Sequence, residues 1–194
     1  MCCTKAPPPP TPAPTPDPFP GALALTTYVP FTFGAEQGNA TVYRYLVKST
    51  YTWTSPSWNS PREQATDNPL GVRYGYNTET PQKGHVFLFV FLRILNTGTG
   101  AVYAPSPAQF TVSYNGTAYP YSSVHGADVT IDTVPGTQYD YLIGYGGTGG
   151  YVQPGASNQV DGYLIYEVPA GFFPRDTYVI GNLDPKTRAV WRLG

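Results

Sequence analysis

Residues 84–96 read GHVFLFVFLRILN and contain the longest apolar run of the chain. That run, Val86 to Leu92, is far shorter than the ~18 apolar residues of a membrane-spanning helix. Its phenylalanine and valine residues favour a β-strand. Because successive side chains of a strand point to opposite faces, two sets of residues separate. The even set is Val86, Leu88, Val90, Leu92 and Ile94, and the odd set is His85, Phe87, Phe89, Phe91 and Arg93.

The two faces of this strand have different expected surroundings. The even set is predicted to face the hydrophobic core. An antiparallel sheet usually leaves its other face in water, yet the phenylalanines of the odd set would expose more apolar area than a monomer usually tolerates. Either residues 55–70 or 128–150 fold over the odd set, or this face docks another copy or a protein partner. In the second case the interaction face is Phe87, Phe89, Phe91 and Arg93.

Outward from this strand, short runs rich in Tyr, Val, Phe and Thr recur from Leu25 onward, separated by Gly, Pro and Asn clusters. Such spacing is typical of an all-β sandwich or barrel. Asn115-Gly116 between two such runs predicts a type I′ hairpin turn. In residues 41–54 the odd positions are predicted to share one buried face. Further strands are predicted at 110–114, 117–121, 129–134, 139–145, 159–168, 177–180 and 189–193.

The composition indicates one compact domain with few charges. The chain has 194 residues, of which 12% are charged, and its formal net charge is -1. A chain without a basic excess lacks the charge that attracts nucleic acids or anionic lipid headgroups. We therefore expect neither of these partners.

Residues that could carry catalysis are few. His85 and His125 are the only histidines, and nucleophile-elbow and zinc-protease motifs are absent from the sequence. Four acidic residues of the second half lack the spacing of a calcium loop. They are Asp128, Asp132, Asp140 and Asp161. We expect no enzymatic activity, no cofactor and no metal site.

Residues 1–20 contain both cysteines of the chain and a proline-rich run. The run predicts a polyproline II spacer rising ~3.1 Å per residue, an arm on the order of 50 Å. A proline-rich polar segment after an N-terminal cysteine is typical of a processed prokaryotic lipoprotein, with Cys2 or Cys3 as the lipid attachment site. The alternatives are incidental cysteines in a tail and a proline-rich ligand for a signalling domain. We place the folded domain at residues 21–194.

Three segments of the chain resemble, in this order, a known family. They are residues 84–98 ending in Asn96-Thr97-Gly98, residues 110–119, and residues 153–169 with Pro154-Gly155 and Glu167-Val168-Pro169. The family is the immunoglobulin-like domain of unknown function found in secreted prokaryotic lipoproteins, similar in fold to a secreted immunoprotective antigen. The resemblance implies an exported, immunoglobulin-like antiparallel β-sandwich without catalytic residues. The chain departs from the family in the insertion 128–150 and in a central strand that is apolar on both faces.

Aromatic residues outside the central strand favour either ordinary strand packing or a platform for sugar rings. Those considered are Trp53, Trp58, Tyr74, Tyr76, Tyr141, Tyr145 and Tyr151. Two sequons, at Asn39 and Asn115, permit N-glycosylation if the host modifies exported proteins. Because Asn115 sits in a tight turn, we expect it to be the less accessible of the two.

These features together predict a non-catalytic β-sandwich module, lipid-anchored at the extracellular cell surface, that serves protein interaction or adhesion. A first alternative is a structural subunit of an extracellular fibre or surface lattice that packs through its proline arm and its phenylalanine stripe. A second alternative is a glycan-binding module. The expected partner is a protein or another copy of the chain, and the membrane is contacted through the lipid alone.

Overall fold

The computed structural model describes residues 16–55, 64–65, 74–122, 129–131, 133–140, 142–143 and 149–194, and for residues 55, 64–65 and 74–77 it describes the backbone alone. Within these ranges the chain is built mainly of β-strands. They are β1 (Val29–Phe33), β2 (Glu36–Lys48), β3 (Tyr51–Ser55), β4 (Gln64–Ala65), β5 (Tyr74–Glu79), β6 (His85–Asn96), β7 (Val102–Tyr103), β8 (Phe110–Tyr114), β9 (Thr117–Ser122), β10 (Thr130–Ile131), β11 (Thr137–Gln138), β12 (Tyr151–Val152), β13 (Val160–Pro169), β14 (Thr177–Asn182) and β15 (Arg188–Arg192). Short 3₁₀ turns lie at Pro107–Gln109, Ala156–Asn158 and Pro174–Asp176.

Two antiparallel sheets form a β-sandwich. The first has the strand order β1-β2-β6-β13, with the short β11 added to β13 in parallel, and the second has the order β9-β8-β14-β15. Strand β9 joins the two sheets, because its residues Tyr121 and Ser122 pair with Tyr166 and Ile165 of β13. Side chains from both sheets meet in one hydrophobic cluster, which is the arrangement expected of two sheets packed face to face.

The core between the two sheets confirms the prediction for the even set of the central strand. Leu88, Val90, Leu92 and Ile94 are buried there, and Val86 packs against the same cluster. Strand β6 pairs with β2 on one side and with β13 on the other. Its backbone is therefore hydrogen-bonded along both edges, as a buried central strand requires.

A third, smaller sheet covers the three phenylalanines of the odd set of β6. Its strand order is β10-β3-β5-β4. Phe87, Phe89 and Phe91 are at most 5% exposed and belong to a second hydrophobic cluster on this outer face. The cluster is completed from β3, from the insertion and from β13 by Tyr51, Trp53, Ile131, Val134, Tyr163 and Ile165.

The interpretation of this face as an interaction surface is therefore corrected for Phe87, Phe89 and Phe91. The chain itself covers these rings, because removing three aromatic side chains from water lowers the free energy of the folded state. Part of the cover comes from the insertion 128–150, as the other interpretation predicted. Residues 55–70 lie outside the described residues except for the backbone of 55 and 64–65. Arg93 remains about a third exposed, with 32% of its side chain accessible.

A bulge in β2 breaks the predicted alternation of residues 41–54. The pairing of β2 with β6 shifts between Val42 and Arg44, which leaves Tyr43 as the extra residue. The ring of Tyr43 packs against Phe91 on the outer face, with centroids 5.9 Å apart, whereas Tyr45 packs against the core between the sheets. The prediction that the odd positions share one face is wrong, because one extra residue reverses the side on which later side chains lie.

The predicted hairpin at Asn115-Gly116 is confirmed. These two residues join β8 to β9 and have positive φ angles of 49° and 74°, the left-handed conformation that a type I′ turn requires.

The strand predicted at 139–145 is wrong in its described part. Tyr139 and Asp140, and residues 142–143, have helical backbone conformation. This segment crosses β13 at Gly162, where a Cβ would lie 2.9 Å from the Cα of Tyr139. The hydroxyl of Tyr139 is buried and donates to the carbonyl of Pro105 at 2.7 Å. Because Tyr139 lies this close to the backbone of β13, the segment forms a compact turn there and does not pair as an added strand.

Candidate functional site

Asp17 holds residues 17–19 on the second sheet. Its Oδ1 accepts hydrogen bonds from the amide N–H of Phe19 at 2.8 Å and from the hydroxyl of Tyr178 at 2.7 Å. Its Oδ2 pairs with the guanidinium of Arg192. The ring of Phe19 meets Tyr178 edge-on, with centroids 5.0 Å apart. We name Asp17, Phe19, Tyr178 and Arg192 the tether clamp, because they hold the last residues of the segment 1–20 that the sequence predicts to be a tether.

The residues that follow the clamp continue along the edge of β15. The N–H of Leu23 donates to the carbonyl of Val190 at 2.8 Å, and the N–H of Arg192 donates to the carbonyl of Leu23 at 2.9 Å. Farther along, the N–H of Thr26 donates to the carbonyl of Val42 in the first sheet at 2.8 Å. The segment 19–27 therefore runs from one sheet to the other and covers an edge that would otherwise present unpaired backbone groups.

Two grooves flank the tether clamp. One, of about 380 Å³, lies between residues 18–23 and β15. The other, of about 740 Å³, lies between residues 16–18, the turn at 115–116 and Arg175. Both grooves have the docked segment itself as one wall, so they are spaces created by that docking.

The tether clamp is expected to depend on pH through Asp17. The amide of Phe19, followed by Tyr178 and Arg192, lowers the pKa of Asp17 below its ordinary value. Because the folded pKa is depressed, the stabilisation by the carboxylate is complete above the unfolded pKa of ~3.9 and is lost as the pH falls through the folded pKa. We expect Asp17→Asn to reduce the hydrogen-exchange protection of the Phe19 and Leu23 amides at pH 7.

Hydrogen exchange followed by mass spectrometry of the peptides covering residues 16–27 measures this effect. The matched control is Asp176→Asn, because the carboxylate of Asp176 pairs with the exposed Arg175 at 3.6 Å. Equal protection in the native chain and in Asp17→Asn would show that the clamp does not hold the segment.

Three exposed aromatic rings lie together at another place on the surface. Phe33, Tyr103 and Tyr151 are 50%, 40% and 47% exposed. The centroids of Phe33 and Tyr103 are 5.3 Å apart with an interplanar angle of 30°, and those of Tyr103 and Tyr151 are 5.0 Å apart at 90°. We name these three residues the aromatic patch. Tyr151 was among the rings considered from the sequence for sugar stacking, and the structure adds the other two.

The aromatic patch is built on a short strand pair. Tyr103 of β7 lies directly opposite Tyr151 of β12, and the neighbouring Val102 and Val152 are buried in the core. Alternation along each strand therefore sends the tyrosines outward. Gly150, with φ +87°, lets the ring of Tyr103 lie against the backbone, since a Cβ there would be 2.6 Å from that ring.

Asn96 fixes the loop and the strand that carry the two tyrosines. Its side-chain amide donates to the carbonyls of Gly100 at 2.7 Å and of Val152 at 2.6 Å, and its Oδ1 accepts from the N–H of Gly98 at 2.8 Å. The N–H of Gly100 donates to Glu36 at 2.8 Å. The Asn96-Thr97-Gly98 motif quoted from the sequence thus organises the support beneath the aromatic patch.

The aromatic patch and the tether clamp lie at opposite ends of the strands. The clamp contacts Tyr178 near the start of β14 and Arg192 at the end of β15. At the other end of these strands the turn residue Asp184 accepts a hydrogen bond from the N–H of Thr32 at 2.9 Å, one residue before Phe33. From Tyr178 to Asp184, β14 and its turn span roughly 20 Å.

The connection between Asp184 and β1 persists into acid. Partial burial favours the neutral carboxylic acid, but hydrogen bonds from the amides of Thr32, Lys186 and Thr187 outweigh it and lower the pKa of Asp184 to about 2. The carboxylate therefore stays ionised, and the turn stays attached to the strand next to the aromatic patch, well below neutral pH.

Arg93 and Asp161 form an ion pair on the outer face of the first sheet. Nε and Nη2 of Arg93 lie 2.9 and 2.5 Å from Oδ2 of Asp161, which pairs with Arg93 across β6 and β13. Burial, followed by the hydrogen bond to Asp161, raises the pKa of Tyr43 to about 12, and Asp161 also raises the pKa of Arg93. Both pKa values therefore lie farther from pH 7, whereas a general acid or base needs a pKa near the working pH. The pair is suited to holding the strand register.

Several residues that the sequence brought into consideration lie outside the described residues. They are Cys2, Cys3, Trp58, His125, Asp128, Asp132, Tyr141 and Tyr145, together with the side chains of Tyr74 and Tyr76. Trp53 is buried and its indole N–H donates to Glu79 at 3.0 Å, so it is not available for stacking. His85 and Asp140 are half-buried.

In the part of the chain that the structure describes, no three His, Cys, Asp or Glu residues gather as metal ligands would. Across the same part, no helix has the length and apolar character to span a bilayer.

Of the two sequon asparagines, Asn115 is the more exposed and Asn39 the more buried. Asn115 is exposed at the tip of the β8–β9 turn, whereas Asn39 is half-buried in β2 and faces partners on both sides, Pro30 and Leu95. The expectation that Asn115 is the less accessible residue is wrong, because a hairpin turn projects from the sheet while a central position is enclosed by it.

Sequence reasoning missed Phe33, Tyr103 and the tether clamp. Tyr103 and Tyr151 stand on strands of two residues each, which are too short for a period-two pattern to be seen. Asp17 did carry a signal, because it is the only charged residue in positions 6–20. A single carboxylate within a proline run is an unusual choice unless it has a partner in the folded domain.

Comparisons with known proteins give no family for this chain. No family model matches it, and no curated protein does. Among solved structures, an uncharacterized β-sandwich protein from Clostridium difficile 630 aligns over 95% of this chain and 99% of that chain, with 10% identity and a TM-score of 0.44. A likeness at this level carries no argument, so the two-sheet architecture rests on the strand pairing of the chain itself.

Proposed function

We propose that this chain is a non-catalytic, lipid-anchored module at the extracellular cell surface, with an immunoglobulin-like sandwich that engages a partner for interaction or adhesion. One observation carries the proposal. The tether is clamped at one end of the strands through Asp17, while the aromatic patch is exposed at the other end. A module with separate anchored and binding ends needs this arrangement.

The sequence before the clamp supports the anchored end. Residues 1–16 hold Cys2, Cys3 and the proline run, and at ~3.1 Å per residue a polyproline II arm of this length would extend roughly 50 Å. Such an arm would carry the sandwich clear of a membrane or a glycan layer. The clamp would then pass any pull on the arm to β14 and β15, which are paired from Tyr178 to Asn182 and from Arg188 to Arg192.

The displaced pKa values among the described residues fit a binding role better than a catalytic one. Burial raises the pKa of several core tyrosines, among them Tyr139 and Tyr166. Neutral phenols in a core do not transfer protons near pH 7. The fibre or lattice alternative loses the phenylalanine stripe as a packing surface, because Phe87, Phe89 and Phe91 are already covered.

The anchored end is tested by mass spectrometry of the protein from membranes of its native host. We expect an N-terminal peptide that begins at Cys2 or Cys3 and carries a diacylglyceryl group. The variants Cys2→Ser and Cys3→Ser identify the modified residue, and the double variant is expected to leave the membrane fraction. Recovery of the native chain from the cytosol with both thiols unmodified would contradict the proposal.

A further inference from the structure

We infer that the aromatic patch of Phe33, Tyr103 and Tyr151 is a binding site for a neutral carbohydrate chain, with pyranose rings stacked on its side chains. The inference names the ligand for the binding end of the proposed function and rests on that proposal. It starts from the grouping of three rings that are 40–50% exposed, because the largest apolar patch on a monomer often carries function, whereas rings scattered singly need no explanation.

The area of the patch argues for a small ligand. Three rings at this exposure offer on the order of 300 Å². A specific protein interface buries ~800 Å² on each partner, so the patch is too small to hold a second copy or a folded protein by itself. A chain of sugar rings needs only a narrow apolar surface, because the C–H groups of one pyranose face pack on one aromatic ring at a time.

The patch is also held in a fixed geometry. Tyr103 and Tyr151 are paired across β7 and β12, and the carbonyl of Gly150 accepts the N–H of Ala104 at 2.7 Å to extend that pairing. Asn96 ties the same strand to the end of β6. Rings that are already ordered lose little conformational entropy when a ligand binds, which favours weak, face-on contacts.

Charge and hydrogen bonding select the kind of sugar. The rings carry no formal charge, and the phenol hydroxyls of Tyr103 and Tyr151 can each donate and accept a hydrogen bond with sugar hydroxyls. The carboxylate of Glu36, directly opposite Phe33 in the β1–β2 pairing, lies next to the loop that leads to Tyr103. A negative charge at this border disfavours uronic acids and favours neutral sugars.

Titration calorimetry of the purified full chain against cellohexaose, chitohexaose, xylohexaose and mannohexaose tests the site. We expect saturable binding of at least one of these, with affinity reduced about tenfold or more in Tyr103→Ala and in Tyr151→Ala, since loss of one stacked ring removes about 1.4 kcal/mol. Gly150→Ala is expected to weaken binding as well, because its Cβ would displace the Tyr103 ring. Phe173→Ala is the control, because Phe173 is 56% exposed and lies outside the patch.

Three results would overturn the inference. They are no saturable binding of any of the four oligosaccharides, binding that survives Tyr103→Ala and Tyr151→Ala, and a preference for oligogalacturonate over the neutral chains. A synthetic peptide of residues 6–16 serves as a competitor, and its binding to the patch in place of sugar would also overturn it. Because this assay uses purified protein, its failure leaves the lipid anchor untouched, and unmodified cysteines would leave the sugar site untouched.

Discussion

Phe89→Asp is expected to abolish folding, although Phe89 lies on the outer face of the first sheet. The side chain is 0% exposed, and its ring packs edge-on against Tyr51 and Tyr163 at centroid distances of 5.5 and 5.4 Å. Truncating such a ring to alanine costs about 3–5 kcal/mol. A buried carboxylate without a partner adds several kcal/mol more, and the sum approaches the whole stability of a typical domain of 5–15 kcal/mol.

Phe89→Ala, measured by urea denaturation with far-UV circular dichroism, gives the quantitative form of this prediction. We expect its free energy of unfolding to fall by about 3–5 kcal/mol relative to the native chain. Phe173→Asp is the matched control for the charged substitution, because the same change at an exposed phenylalanine should cost no more than about 0.5 kcal/mol. If Phe89→Asp remained folded and as stable as Phe173→Asp, the small sheet would not cover this face, and the docking interpretation would return.

Asn96→Asp is expected to destabilise the chain by about 3 kcal/mol at pH 7. The substitution keeps the shape of the side chain but removes the N–H groups that satisfy the carbonyls of Gly100 and Val152. The position is only 9% exposed, so water cannot readily replace the lost donors. An ionised carboxylate there would also face two carbonyl oxygens.

This variant should be more stable in mild acid than at neutral pH. Burial beside carbonyl oxygens favours the protonated acid, so the folded pKa of the introduced aspartate would lie above its unfolded value of ~3.9. The folded state then binds more protons than the unfolded state between the two values, and stability falls as the pH rises through that interval.

Urea denaturation of Asn96→Asp between pH 4 and pH 8 measures both effects. Asn158→Asp is the matched control, because Asn158 is exposed and its side chain donates only to the carbonyl of Pro154 at 2.7 Å. We expect that control to stay within about 0.5 kcal/mol of the native chain. A stability of Asn96→Asp that matched the control and did not change with pH would show that the Asn96 hydrogen bonds do not stabilise the fold.

The fold was predictable to the extent that local patterns are strong. The hairpin at Asn115-Gly116 follows from two adjacent residues, and the core position of Leu88 and Val90 follows from a long apolar alternation. The prediction for β2 failed because the bulge at Tyr43 arises in the pairing of β2 with β6. The periodicity of a single strand carries no information about its partner strand. The segment at 139–143 failed because its turn is imposed by contact with Gly162 of a distant strand.

The candidate site was less predictable than the fold. The aromatic patch combines a hairpin end, Phe33, with two strands of two residues each, and these three rings are separated by long stretches of sequence. A ring is available to a ligand only when neighbouring elements leave it uncovered. Trp53 and Tyr151 therefore received the same interpretation from the sequence, although one is buried and the other is exposed.

From the residues alone came the all-β class, the two faces of the central strand and the hairpin turn, because each depends on the chemistry of neighbouring positions. Tertiary structure decided which face of the central strand the chain covers for itself, which residues Asp17 contacts, and which aromatic rings stay in water. Those outcomes depend on pairing between strands far apart in the chain, and burial is set by what packs against a side chain, whatever its own hydrophobicity.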